Sequence, residues 1–322
     1  MITKKIVGPA GVVWTQSQSP SKWWNVLCVT STGRVLACTS NNYIYYSDDN
    51  GETWTQSQSP SKFWTALCIT STGRILACAT SNYIYYSDDN GETWTQSQSP
   101  SRYWLALCIT STGRILAATE YNYIYYSDDN GVTWTQSQSL SKPCNVLCIT
   151  STGRIIATVY NEYIYYSDDN GETWTQSQSP SRYWTALCIT STGRVLACTT
   201  SNYIYYSDDN GETWAQSQSP SKSWTALCIA STGRVLACTS SDYIYYSDDD
   251  GETWTASQSP NGYWCALCIT STRRIIAATK NDYIYYSDPE TELNYTSKPI
   301  TKKEVQALID ECKAYVQLKK QS

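Results

Sequence analysis

Seven tryptophans, Trp14, Trp54, Trp94, Trp134, Trp174, Trp214 and Trp254, stand 40 residues apart. They mark a unit that reads WTQSQSPSKFWTALCITSTGRILACATSNYIYYSDDNGET from Trp54 to Thr93 and recurs almost unchanged along the chain. A period of about 40–50 residues with several short strands per unit is the signature of a β-propeller. Helical arrays of similar period would show apolar residues every 3.6 positions, and the unit has no such spacing.

Each unit offers four strand segments separated by turn residues. In the first they are A, Asn25–Thr30; B, Arg34–Thr39; C, Tyr43–Ser47; and D, Glu52–Ser57. Ser31-Thr32-Gly33 turns A into B, and Asp49-Asn50-Gly51 turns C into D. Segments A and B are almost wholly apolar, as strands covered on both faces by neighbouring blades must be. Segment D is polar, which suits an outer edge that must not recruit another sheet. The chain opens on a lone D segment, Val12–Ser17, and its last unit stops after segment C, Tyr283–Ser287. The expected fold is all-β: a seven-bladed β-propeller of four-stranded antiparallel blades over residues 11–295. The N-terminal strand would close the ring by pairing with Tyr283–Ser287, leaving no open seam.

Residues 296–322 form a separate element. Thr301 and Glu304 make a capping box, and Val305, Leu308, Ile309, Cys312, Tyr315 and Val316 lie at helical spacing. They predict a C-terminal amphipathic α-helix that docks on the propeller or serves as an oligomer or partner contact.

Composition limits the partners. The 28 Tyr and 14 Trp against a single Phe and a single Met give strand formers with polar tips. A net charge of −5 argues against nucleic acid or an anionic membrane as partner. No apolar run approaches the roughly 20 residues that span a bilayer. The opening residues, 1–6, lead into no apolar stretch of the secretory kind. Of 14 cysteines, seven recur at one position (Cys28, Cys68, Cys108, Cys148, Cys188, Cys228, Cys268), and Cys38, Cys78, Cys198 and Cys238 recur at another. A set present in four units cannot pair systematically, so the thiols read as free, in a reducing, intracellular or cytoplasmic setting. With no histidine, zinc is disfavoured and no cofactor is expected.

The C–D turn carries a motif, Ser-x-Asp-x-Gly-x-Thr-Trp, in six full copies ending at Trp54, Trp94, Trp134, Trp174, Trp214 and Trp254. A seventh, Ser287-Asp288-Pro289-Glu290, departs from it. This resembles the Asp box of the sialidase and BNR-repeat superfamily of β-propellers, and the resemblance covers about residues 11–295. It implies that Asp49, Asp89, Asp129, Asp169, Asp209 and Asp249 are structural markers, on the face opposite the family's active site. Each aspartate can accept backbone N–H bonds within its own turn, and the glycine permits a positive φ.

Sialidases hold a carboxylate with three arginines from different blades and act through a Tyr–Glu pair and a loop Asp. Here the arginines mostly form one repeated set, Arg34, Arg74, Arg114, Arg154, Arg194, Arg234 and Arg274, on the Asp-box face. No Arg-Ile-Pro motif is present, and the usual neutral-pH base, histidine, is missing. The resemblance is therefore to a non-catalytic member, with no catalytic residues.

The copies differ mainly in the D–A connection with the start of A, and in the B–C turn. In an up-and-down blade these emerge on one face, and loops on a rigid scaffold carry binding. The candidate ligand residues are Trp23, Trp24, Phe63, Trp64, Tyr103, Trp104, Tyr183, Trp184, Trp224, Tyr263 and Trp264, with Glu120, Tyr121 and Tyr160 of the B–C turns. Trp23, Phe63, Tyr103, Tyr183 and Tyr263 are expected to be accessible; Trp24 and its equivalents also suit packing between blades. Pro143-Cys144 breaks the aromatic ring in blade four.

Flat aromatics beside Asn, Ser and Lys suit sugar rings. The expected function is non-enzymatic recognition, carbohydrate-binding by preference, with a protein-interaction or assembly scaffold as the alternative. A glycoside hydrolase using Glu120 and Glu162 with Tyr121 and Tyr160 ranks third. It needs two carboxylates about 5–10 Å apart, and these stand on adjacent blades.

Overall fold

The computed structural model describes residues 11–288 except 122, 138–141 and 201. The repeat forms seven four-stranded antiparallel sheets. In blade one, strand A is Trp24–Val29, B is Val35–Thr39, C is Ile44–Ser47 and D is Thr55–Gln56, hydrogen-bonded in that order. Strand D is shorter than its sequence segment: only Thr55 and Gln56 pair, opposite Tyr46 and Tyr45. The cause is the Asp box, whose turn binds Glu52 and Thr53 to Asp49 and so withholds them from the ladder.

Blade seven is built from both ends of the propeller. Thr15 lies opposite Tyr286 and Gln16 opposite Tyr285. Ser17 N donates to Ile284 O at 2.9 Å, and Ile284 N donates to Ser19 Oγ at 2.8 Å. Blade one shows the same pair, Ser57 N to Ile44 O and Ile44 N to Ser59 Oγ, at 2.9 and 2.8 Å. The closing blade therefore reproduces the bonding of a continuous one.

The core lies between blades. Strand B of every blade is wholly buried, as in Val35–Thr39. Leu36, Cys38 and Ile44 of blade one pack on Trp64, Ile75, Ala77 and Tyr85 of blade two. Trp64 meets Tyr85 edge-on at 5.5 Å and leans on Trp94 at 6.1 Å.

On the Asp-box face the turns are bonded within and between blades. Asp49 accepts hydrogen bonds from Ser47 Oγ, the backbone N–H groups of Glu52 and Thr53, and Thr53 Oγ1. Gly51 has φ +88°, and a Cβ there would stand 2.5 Å from Ile276 Cδ1 of the adjoining blade. Arg34 forks Asp48 at 2.6 and 2.9 Å and reaches Asn90 O and Glu92 of blade two, both at 3.2 Å. Its guanidinium lies 4.1 Å over the Tyr46 ring, and all seven equivalent arginines cover a tyrosine at 4.1–4.4 Å. This face varies little because its polar side chains hold adjacent blades together.

All cysteines among the described residues are free. The C-terminal helix expected at 296–322 lies outside the described residues, among which there is no helix. None is therefore long and apolar enough to cross a membrane.

Candidate functional site

Strand A of every blade begins with a β-bulge. In blade one Trp24 faces Thr39 and Val26 faces Cys38, leaving Asn25 without a partner. The same register shift occurs in the six other blades. A bulge adds one residue to one strand and re-aims its side chain. The seven bulged residues, Asn25, Thr65, Leu105, Asn145, Thr185, Thr225 and Cys265, all line one cavity of about 900 Å³. A cavity shared by the inner strands of all seven blades lies on the propeller axis. Phe63, Pro143, Tyr183, Ser223 and Tyr263 of the D–A connections and Glu120, Tyr121, Tyr160, Thr200, Ser240 and Lys280 of the B–C turns also line it. It opens on the varied face.

The floor of this cavity is a ring of hydrogen bonds from blade to blade. Asn25 Nδ2 donates to Trp64 O (2.7 Å), Thr65 to Trp104 O (2.9 Å), and Asn145 Nδ2 to Trp184 O (3.3 Å). Thr185 donates to Trp224 O (2.9 Å), Thr225 to Trp264 O (2.8 Å), and Cys265 Sγ to Trp24 O (3.2 Å). Leu105 interrupts the ring, having no polar atom to donate. One acceptor at the floor, Asn145 Oδ1, is buried without a partner.

Of the two readings of the second aromatic of each D–A connection, ligand contact and packing between blades, the structure bears out packing. Trp24, Trp64, Trp104, Trp184, Trp224 and Trp264 are 0% exposed. Five of their indole N–H groups donate to backbone carbonyls, of Asp282, Asn42, Asn82, Glu162 and Asn202. These rings are wedges between blades and present no face to a ligand. The first aromatics are accessible at Trp23, Tyr103 and Tyr263 and half-buried at Phe63 and Tyr183. Tyr160 is also exposed, and Tyr121, at 65%, is the most exposed large hydrophobic side chain described. Trp23 and Tyr103 stand outside the cavity lining; Phe63, Tyr121, Tyr160, Tyr183 and Tyr263 are within it.

The wall is chemically lopsided. Tyr103 meets Tyr121 edge-on at 5.3 Å, and Tyr160 meets Tyr183 at 4.5 Å and 67°. Burial raises the hydroxyl pKa of Tyr183, and the neighbouring Tyr160 and the charge of Glu120 add to the rise. In blade seven, Lys280 Nζ lies 3.3 Å from Tyr263 Oη and 4.6 Å over its ring. Glu162 is ion-paired with Lys142 and is not among the lining residues, so Glu120 is the one carboxylate of the described cavity wall. No cluster of metal-ligating side chains occurs among the described residues.

The sequence comparison of units reached the bulged residues only as the tail of a varied segment. Their signal was the abrupt change from variation at position 25 and its equivalents to near-constancy at the next residues, where the ladder resumes.

Seven four-stranded blades with Asp-box turns on one face and a varied axial cavity on the other define a BNR-type β-propeller. The chain belongs to the DUF6242 beta propeller domain family, which matches residues 9–105 and 167–258. A BNR/Asp-box repeat is matched at residues 125–136. No curated protein matches the sequence.

Among solved structures, the chain is similar to YCF48 from Cyanidioschyzon merolae at 15% identity and a TM-score of 0.71, over 87% of this chain and 99% of that one. YCF48 bound to a D1 peptide matches at 15% identity and a TM-score of 0.73, over 88% and 99%. Virginiamycin B lyase from Staphylococcus aureus matches at 15% identity and a TM-score of 0.71, over 85% and 98%. Likeness at this identity is likeness of fold.

Proposed function

We propose that this protein is a non-enzymatic recognition propeller that seats a segment of a partner protein in the axial cavity of its varied face. The observation that carries this reading is the cavity itself: a rigid ring of seven bulges beneath a rim that differs from blade to blade. Polar groups on the floor are mostly spent on holding neighbouring blades, which leaves few donors for the dense hydroxyl network of a sugar. A peptide needs aromatic and charged contacts with few polar anchors, and the rim has that composition. A propeller of the same fold, YCF48, has been solved with a peptide bound. Catalysis has little support, since the chain has no histidine and the described cavity wall has a single carboxylate.

A carbohydrate ligand is the second reading, favoured by the exposed Tyr263 ring beside Lys280. A random-peptide display library and a glycan array, each probed with the wild type and with a Tyr121→Ala/Tyr160→Ala variant, separate the two. A consensus peptide bound by the wild type and lost in an equally stable variant is expected. No enriched peptide, or one bound equally by the variant, overturns the proposal, and array hits lost in the variant establish the carbohydrate reading instead.

A further inference from the structure

We infer that the wall of the cavity formed by blades three to five is a cation-recognition pocket, in which Glu120, Tyr121, Tyr160 and Tyr183 take the guanidinium or ammonium head of an arginine or lysine side chain. The inference rests on the reading of the cavity as a peptide seat and specifies what part of the peptide enters it. Three independent features of this wall suit a positive charge.

The first is the carboxylate. Glu120 lines the cavity and makes no ion pair among the described residues, whereas the carboxylates of Glu162 and Asp242, in the B–C turns of blades four and six, are paired with Lys142 and Lys222. The other charged side chain of the lining, Lys280, belongs to blade seven and already lies against Tyr263.

The second is the set of rings. A cation is attracted to the face of an aromatic ring, more strongly as water is excluded. Tyr121 and Tyr160 are exposed at the cavity, and each is propped by a ring that meets it near-perpendicularly, Tyr103 and Tyr183. Propped rings are held in place before the ligand arrives, which lowers the entropy lost on binding.

The third is the orphaned acceptor. Asn145 Oδ1, in the floor of blade four, is buried without a hydrogen-bond partner. A buried acceptor left unpaired is costly, and a guanidinium with five N–H donors in a fixed fork can satisfy it together with Glu120. An anion or an aliphatic group would satisfy neither.

The repeat itself gives the contrast. At the position of Glu120 the other blades carry Ser40, Thr80, Tyr160, Thr200, Ser240 and Lys280. Blade three alone places a carboxylate there, and the same turn carries Tyr121, the most exposed large hydrophobic side chain described. The otherwise near-identical units depart from one another where a cation would be met.

The test uses three tripeptides of defined chemistry, acetyl-Gly-Arg-Gly-amide, acetyl-Gly-Lys-Gly-amide and acetyl-Gly-norleucine-Gly-amide, titrated by protein-observed NMR. The cationic tripeptides are expected to bind about tenfold more tightly than the norleucine one, an advantage that salt reduces. Glu120→Gln should abolish that advantage, while Glu252→Gln, an equal change of charge on the Asp-box face, should preserve it. Equal binding of all three tripeptides, no binding of the cationic ones, or an advantage intact in Glu120→Gln overturns the inference. The peptide-seat reading is judged separately, by the library selection, and survives if selected peptides without a basic residue still depend on Tyr121 and Tyr160.

Discussion

Lys142 Nζ lies 5.3 Å from the centroid of the Tyr165 ring, which, unlike its equivalents in the other six blades, has no tryptophan at the start of strand A beside it. In those six a tryptophan meets the equivalent tyrosine edge-on at 5.1–5.5 Å. Blade four has Cys144 in place of the tryptophan, and the lysine, also ion-paired with Glu162, lies over the ring. Lys142→Met should therefore destabilise the protein by about 1 kcal/mol, whereas Lys62→Met should fall within about 0.5 kcal/mol of the wild type. Urea midpoints at constant m-value provide the comparison, and equal midpoints would show that the lysine is not a substitute for the indole.

The buried and exposed aromatics of the D–A connections should behave oppositely. Trp184 is fully enclosed between blades, so Trp184→Ala should cost about 3–5 kcal/mol through the cavity it leaves. Trp23 is 48% exposed, and Trp23→Ala should change stability by no more than about 0.5 kcal/mol. Thermal or urea unfolding of the two variants decides the matter.

The Asp boxes make stability depend on acid. Burial alone would raise the Asp49 carboxyl, but hydrogen bonds from Thr53, Ser47 and the backbone of Glu52 outweigh it and hold the group below the ordinary aspartate value of 3.8. Asp89, Asp129, Asp169, Asp209 and Asp249 are lowered by the same balance. Since the unfolded chain then binds protons more readily than the folded one, this stabilisation is complete above 3.8 and is lost as pH falls below it. Asp49→Asn with Asp209→Asn should flatten the fall of the urea midpoint between about pH 5 and pH 2. An unchanged slope would contradict the assignment.

The thiols set the alkaline limit. Burial pushes Cys78, Cys148, Cys228 and Cys265, among others, up to about 12 from an ordinary 9.0. Their contribution to stability is present below pH 9.0 and is lost as pH rises from there toward 12, because the unfolded chain gives up its thiol protons first. In a Cys312→Ser background the native protein at pH 8 should react negligibly with a disulfide reagent and fully once unfolded. Rapid labelling of several thiols in the native state would contradict this.

Much of the architecture follows from the repeat. Identical units of one supersecondary element have few ways to bury their apolar strands, and the lone D segment before Trp24 with the missing one after Tyr283 defines the closure. The arginines, too, were legible as structural, since seven copies on one turn leave no room for an asymmetric site. The packing of Trp24 and its equivalents was legible only as one of two readings. Two adjacent aromatics at the start of a strand alternate faces, but the bulge at Asn25 re-aims the chain there, and its trace in the sequence is only the end of a varied stretch. The axial cavity was hidden for the same reason. Its floor comes from seven residues spread over the whole chain, related only by a register shift that repeats in each blade.

The pairing of Thr15 and Gln16 with Tyr286 and Tyr285 also fixes when the protein can finish folding. During synthesis the first strand has no sheet to join until the final C strand leaves the ribosome. Until that pairing forms, the faces that blades one and seven turn to each other, with Trp24 and Ala37 on one side and Ile276 and Ile284 on the other, stay uncovered. Shutting the circle covers both of these faces at once. After it, unravelling from either terminus has to start in the same blade.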